Sequence, residues 1–482
     1  MSSLKQQTVS GIKWTVAASI AQRVISLGTT VILARILTPA DFGLFALAFV
    51  MIDGFGIFKS LGFDSALVRR KDSDIERASN TAFFLIPAMG MILFVILFLF
   101  APIGAKFLNN PQVAPIIRTL ALVFVISTFG KVPQTVLYRN MKFKYKSIAE
   151  VSASVSFCAI ALILALHKFG VWSLVFAYIS KTLVQVSIEW YFSGWKPKFE
   201  FDKAIALDMF HFGKFILASA IVWFIYGNLD NIVIGKLLGV TMLGYYAISK
   251  NLSNFLTDYF LGKVGTIMYP AYSKIQDDPE YVKRVMLKML RYISFIAFPF
   301  GFGLLLFASD ILRIVFGEKW LPATNVLRIL SFWGISGCLG AVISPALLAK
   351  GKSKTDFQMG ILLVIVFFFL VVPLSAKFNL IGVGIALFLS TIVAWYFGLM
   401  RVKRFLNLKP YEIFEAIKVS FLNSTVMLVI GFFSKSIFVF RNNNLNFVFS
   451  VALSVSFYLL VTYFTNKNIL RDFSKIIFEG GT

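Results

Sequence analysis

The chain has 482 residues, of which 58% are hydrophobic, 16% aromatic and only 15% charged, with 54 Phe alone. Soluble proteins are roughly 45–50% apolar and roughly 25% charged. A net charge of +24 on so apolar a chain excludes intrinsic disorder. It fits an integral membrane protein with basic loops better than a nucleic-acid binder, whose charge sits on polar domains.

The first apolar run, from Trp14, is too long for a signal peptide, is broken by Arg23 and has no small-residue cleavage site behind it. Runs of about 20 apolar residues, enough for a spanning helix, follow one another fourteen times. They lie near 14–37, 42–64, 79–101, 113–137, 148–167, 170–192, 214–238, 242–264, 291–315, 322–345, 358–376, 380–400, 414–434 and 445–464. The eighth is the weakest, diluted by Lys250, Asn251, Asn254 and Asp258. Barrel strands would alternate over segments of roughly ten residues, so the expected class is an all-α polytopic membrane protein of about fourteen transmembrane helices. The longest linkers, 193–213 and 265–290, leave no room for a soluble catalytic domain.

With the N-terminus in the cytoplasm, 31 of the 47 Lys and Arg fall on that side and ten on the other. A threefold bias over short loops is a positive-inside signal, and an even helix count puts both termini in the cytoplasm.

An internal repeat runs through the chain. Leu33-Ala34-Arg35-Ile36-Leu37 and Phe42-Gly43-Leu44-Phe45-Ala46 recur 201 residues later as Ile234-Gly235-Lys236-Leu237-Leu238 and Leu243-Gly244-Tyr245-Tyr246-Ala247. Pro87 matches Pro299 and Pro133 matches Pro345 at offset 212; Lys168-Phe169-Gly170-Val171 matches Lys377-Phe378-Asn379-Leu380 at offset 209. An offset of six helices preserves orientation, so the expectation is two parallel six-helix halves, with a substrate pathway between them. The boundaries are 1–200, 201–410 and a remainder, 411–482, of two extra helices and a tail. The four matched prolines are hinge candidates.

Six cations lie inside the runs, Arg23, Lys59, Lys131, Lys181, Lys250 and Arg328, against the carboxylates Asp53, Glu189, Asp230 and Asp258. Intramembrane charges are costly and usually face a cavity or one another. Spacings of three and four collect Lys181, Gln185 and Glu189 on one helix face. Ser127, Lys131 and Thr135 share another face, and Lys250, Asn254 and Asp258 a third. The first helix adds Gln22, Arg23, Ser26 and Thr30. The surplus of cations points to an anionic substrate; mutual pairing and snorkelling of Lys59 are the competing readings. Two cysteines, Cys158 and Cys338, and two histidines, His167 and His211, give no basis for a disulfide framework or metal site. No P-loop, G-x-S-x-G or H-E-x-x-H occurs, so neither an enzyme nor a cofactor is expected.

The stretch Leu33-Ala34-Arg35-Ile36-Leu37-Thr38-Pro39-Ala40-Asp41-Phe42-Gly43-Leu44, together with Ser10-Gly11-Ile12-Lys13-Trp14, resembles the start of Wzx-type polysaccharide flippases of the multidrug/oligosaccharidyl-lipid/polysaccharide exporter superfamily. Leu229-Asp230-Asn231-Ile232-Val233-Ile234-Gly235 and Tyr269-Pro270-Ala271-Tyr272-Ser273 resemble later stretches of that family. The resemblance implies export of undecaprenyl-diphosphate-linked oligosaccharide across a bacterial cytoplasmic membrane by alternating access. The implied partners are that substrate, membrane lipids, H+ or Na+ as coupling ion, and a polysaccharide polymerase, with no nucleic acid. In this reading the six cations contact substrate and the four carboxylates are candidates for ion coupling. A multidrug or cation antiporter of the same superfamily is the alternative, and a polymerase or ligase a more distant one.

Overall fold

The computed structural model describes residues 2–69, 75–257, 262–437 and 443–478. Two compact units divide the chain, Met1–Gly244 and Tyr245–Thr482, and among the described residues no strand occurs. The first unit contains α1 (Ser2–Ile36), α2 (Pro39–Gly56), α3 (Phe63–Arg69), α4 (Ile75–Phe107), α5 (Val113–Phe129), α6 (Lys131–Arg139), α7 (Phe143–Leu166), α8 (Val171–Ser193) and α9 (Lys203–Leu237). Next in order, α10 (Val240–Ser253) begins in it and runs into the second. The second unit continues with α11 (Gly262–Lys274), α12 (Pro279–Ile311), α13 (Thr324–Gly340), α14 (Ile343–Ala349), α15 (Ser353–Leu406), α16 (Pro410–Ile437), α17 (Asn443–Thr465) and α18 (Lys467–Phe478).

Local chemistry sets these ends. Thr38 caps α2: its hydroxyl accepts from Asp41 N at 3.3 Å while the Asp41 carboxylate accepts from Thr38 N at 2.9 Å. This reciprocal box, with Pro39 in the first turn, satisfies donors that a helix start leaves open. Asp202 caps α9 through Ala204 N and Ile205 N, and Asp278 caps α12 through Tyr281 N. These caps start helices inside the expected linkers 193–213 and 265–290. Their first turns are polar enough to escape a search for apolar runs.

Ten helices among the described residues are long and apolar enough to cross a membrane, eleven with α5 and α6 taken as one span bent by 43°. The expected fourteen is not reached as a count: two of the expected runs share α15, the eighth is shortened, and the seventh, within α9, is not among the eleven. At 1.5 Å per residue a helix of 54 residues would reach about 80 Å, far beyond the roughly 30 Å of a bilayer core. Accordingly α15 is interrupted at Asn379, where φ is 50° and ψ −135°, and holds two of the expected runs. The diluted eighth run appears as the 14-residue α10, which stops at Ser253.

Two backbone details fall at positions that the sequence pattern matched. Gly170, the match of Asn379, has φ 55° and ψ −133°, almost the same unusual conformation. The matched glycines of the first motif meet: a Cβ on Gly43 would lie 1.7 Å from Val240 O, and one on Gly244 1.9 Å from Pro39 O. Pro39 and Val240 are also 201 residues apart, so each glycine approaches the residue that the motif pairs with the other's neighbour.

Within the first unit, α7 packs on α8 and α1, and α4 on α5. Two of its clusters are Phe63, Leu67, Ala78, Ile86 and Met209, and Leu33, Ala161, Ala165, Leu174 and Ala177. In the second unit α12 packs on both α13 and α16, with Met286, Ile293, Phe298, Leu339 and Val402 in the core. Asp310 near the end of α12 pairs with Lys435 of α16.

Candidate substrate site

The fourth expected span breaks at Gly130, between α5 and α6. Pro133 explains much of the break. It has no N–H to donate to the carbonyl four residues back; that carbonyl, Phe129 O, accepts the indole N–H of Trp190 instead, at 3.1 Å. Gly130 lets α8 approach, because a Cβ there would fall 2.6 Å from Val186 Cγ2 and 3.3 Å from Glu189 Oε2. The break therefore sets Glu189 beside Lys131 and Gln134.

A polar chain runs across these elements. The Lys131 ammonium lies 3.7 Å from Asp64 Oδ2 and donates to Gln134 Oε1 at 3.2 Å. Gln134 Nε2 and Gln185 Nε2 both donate to Glu189 Oε1 at 3.0 Å. Ser60 Oγ donates to Asp64 Oδ1 at 3.1 Å. Glu189 is buried, so the two amides replace the water that an ionised or protonated carboxyl would otherwise need.

Next to the chain lies a cavity of about 290 Å³, lined in part by Phe49, Asp53, Lys59, Phe124, Ser127 and Tyr178. The Lys59 ammonium has no ion-pair partner within bonding distance among the described residues, although Lys131, Asp64 and Glu189 all act on it electrostatically. The Tyr178 ring meets Phe49 edge-on at 5.2 Å, and Lys181 Nζ stands 6.0 Å from the Tyr178 ring centre. Asp53 accepts from Asn228 Nδ2 at 3.0 Å. On α1, Gln22 Nε2 donates to Glu150 Oε2 at 3.2 Å, and Glu150 also pairs with Lys146 at 3.3 Å; Arg23 is half-buried.

The structure thus brings together Asp53, Lys59, Lys131, Lys181 and Glu189 within the first unit. Asp230 is buried, its Oδ1 accepting from Asn231 N at 2.9 Å. In the second unit Lys250 lies over the Tyr246 ring at 5.6 Å, and Arg328 donates to Asn325 Oδ1 at 3.4 Å. Asp258 lies outside the described residues. Pro87 and Pro299 sit within the continuous helices α4 and α12; Pro133 and Pro345 sit just after the breaks before α6 and α14. Of Lys59, Lys131 and Lys181, Lys131 stands closest to a carboxylate, 3.7 Å from Asp64 Oδ2. Asp64, Gln134 and Glu150 are the partners that helical spacing did not single out. Only the i,i+4 relation of Lys146 and Glu150 was visible in the sequence.

Residues 32–325 match the model of a family described as polysaccharide biosynthesis protein. The chain belongs to this family. It is 26% identical over 394 residues to the lipopolysaccharide biosynthesis protein WzxC of Escherichia coli K12, covering 81% of this chain and 80% of that one. It is 27% identical over 457 residues to the teichuronic acid biosynthesis protein TuaB of Bacillus subtilis 168, covering 90% of each. Its fold is shared with the inward-closed structure of the lipid II flippase MurJ, at a TM-score of 0.80 and 15% identity, over 95% of this chain and all of that one. An inward-facing multidrug resistance transporter of the MATE family aligns at a TM-score of 0.62 and 17% identity, over 82% of this chain and 99% of the other.

Proposed function

We propose that the protein is a flippase that carries undecaprenyl-diphosphate-linked oligosaccharide repeat units from the inner to the outer leaflet of a bacterial cytoplasmic membrane, for O-antigen, capsule or exopolysaccharide synthesis. The observation that carries this reading is membership of a polysaccharide biosynthesis family, with relatives matched over most of their length. The apolar helices and the short linkers between them agree with a transporter rather than an enzyme. The basic loops put both termini in the cytoplasm.

In this mechanism the two halves alternate access around the glycan head group while the lipid tail stays in the bilayer. Arg23, Lys59 and Lys181 meet anionic groups of the substrate, with Lys250 and Arg328 as further contacts. Lys131 is held by Asp64 and Gln134 and orients Glu189. Glu189, Asp53, Asp230 and Asp258 are the candidates for coupling to H+ or Na+, and Pro87, Pro133, Pro299 and Pro345 for hinges. A polysaccharide polymerase would consume the product.

The decisive experiment deletes the gene. Surface polysaccharide should be lost and lipid-linked repeat units retained on the inner leaflet, with drug susceptibility unchanged. Raised drug susceptibility with normal surface glycan would favour the antiporter reading, since that fold is shared. In the complemented strain, Lys59→Ala should lower surface polysaccharide several-fold at equal protein level; normal export would remove Lys59 from the pathway.

A further inference from the structure

We propose that residues 196–203, which join α8 to α9, form a rigid anchor that sinks Phe199 and Phe201 into the headgroup region of an anionic lipid leaflet. The segment is not helical until Lys203, where α9 starts, and its backbone turns tightly at Phe199, where Glu200 N donates to Lys198 O at 2.8 Å. The side chains of Lys198 and Glu200 and the backbone of Asp202 reach α4. The Lys198 ammonium lies 2.6 Å from Glu76 Oε1, its backbone N–H donates to Asn80 Oδ1 at 3.1 Å, and Asn80 Nδ2 donates to Glu200 Oε2 at 3.3 Å. Asp202 N donates to Thr81 Oγ1 at 3.1 Å, and the Asp202 carboxylate then caps α9. Asn80 and Thr81 are themselves fully buried, so this side of the strap is fixed.

The other side turns outward. Phe199 is 97% exposed and Phe201 57%, which is costly in water and favourable at a membrane interface. Phe199 continues an aromatic group that begins among the spans: its ring is 5.8 Å from Phe84, whose neighbour Phe83 contacts Trp190 and Trp195. The exposed Lys196 and Lys203 flank the two rings and supply the charge that complements anionic headgroups. Aromatic rings continuous with the spanning helices and bracketed by lysines fit a lipid surface better than a protein partner. The inference is independent of the solute carried, so failure of the flippase reading leaves it intact.

The test uses the full chain with Cys158→Ala and Cys338→Ala, a nitroxide on Phe199→Cys, and vesicles of phosphatidylethanolamine and phosphatidylglycerol. The label should collide several-fold more with oxygen, relative to an aqueous nickel chelate, than labels on Lys196→Cys or Lys203→Cys. Replacing phosphatidylglycerol by phosphatidylcholine should reduce that ratio. Phe201→Cys gives a second readout should the first variant not fold. Equal access of the nickel chelate to all the labels would overturn the anchor. Shielding of position 199 from both reagents would do so too, by showing a protein occupant such as a second copy. An unchanged ratio in phosphatidylcholine would overturn the anionic preference.

Discussion

Glu189 illustrates how a single residue is held inside an apolar helix. Its Oε1 accepts from two amides on different helices, Gln134 and Gln185, and removing the acceptor leaves both donors without that partner in a buried setting. Glu189→Ala should therefore cost about 1–3 kcal/mol, visible as a lower unfolding temperature in detergent, while Glu189→Gln should cost less because its amide oxygen still accepts. An Ala variant as stable as the parent would show that the network adds nothing. Gly43 is constrained differently. A Cβ there would overlap the Val240 carbonyl, which is backbone and cannot swing aside. Gly43→Ala should reduce the yield of monodisperse protein, and the matched Gly244→Ala should do the same for the mirrored reason; normal yields of both would contradict the close crossing. At this scale the sequence exposed the charges but not their partners. Asp64 and Gln185 come from stretches far apart in the chain and join one network only because the break at Gly130 brings α6 and α8 together.

At the scale of elements, the broken span makes a sharper prediction. The Phe129 carbonyl is satisfied by Trp190 because Pro133 cannot serve it. Trp190→Phe should destabilise by about 0.5–1.5 kcal/mol, the net worth of a typical hydrogen bond. Adding Pro133→Ala should recover part of that loss, since an alanine at this position has an N–H to offer; thermal unfolding of the two single variants and the double variant measures the coupling. Strictly additive losses would refute the exchange of partners. A second element-level case is Asn379, which interrupts α15 with a positive φ that its repeat counterpart fills with glycine. Asn379→Gly should raise stability by about 1 kcal/mol by removing strain of the kind held by non-glycine residues there; an unchanged or lower unfolding temperature would mean that the asparagine side chain compensates. Helix existence was legible from run length, whereas helix starts were not. Asp202 and Asp278 begin helices in polar sequence, and a cap is a local hydrogen-bond event that hydropathy does not register.

For the whole molecule, the prediction concerns energy. The sequence has no P-loop, so movement of lipid-linked oligosaccharide by the purified protein in vesicles should proceed without nucleotide. Export that depends on added ATP would require a partner or a site not recognised in this chain. Sequence alone determined the class: 58% hydrophobic residues in long runs cannot be buried in one water-bounded core. Matched glycines, prolines and loop motifs also keep their spacing along the chain, the pattern on which the proposed two halves rest. What only the tertiary structure decided is which charges meet. Lys131 is engaged by Asp64 and Gln134, while Lys59 looks into a cavity with Asp53 and Tyr178. Helical periodicity fixes the face on which a side chain lies, but its electrostatic partner depends on which other helix packs there, and at what break. That is settled by close contacts between residues distant in sequence.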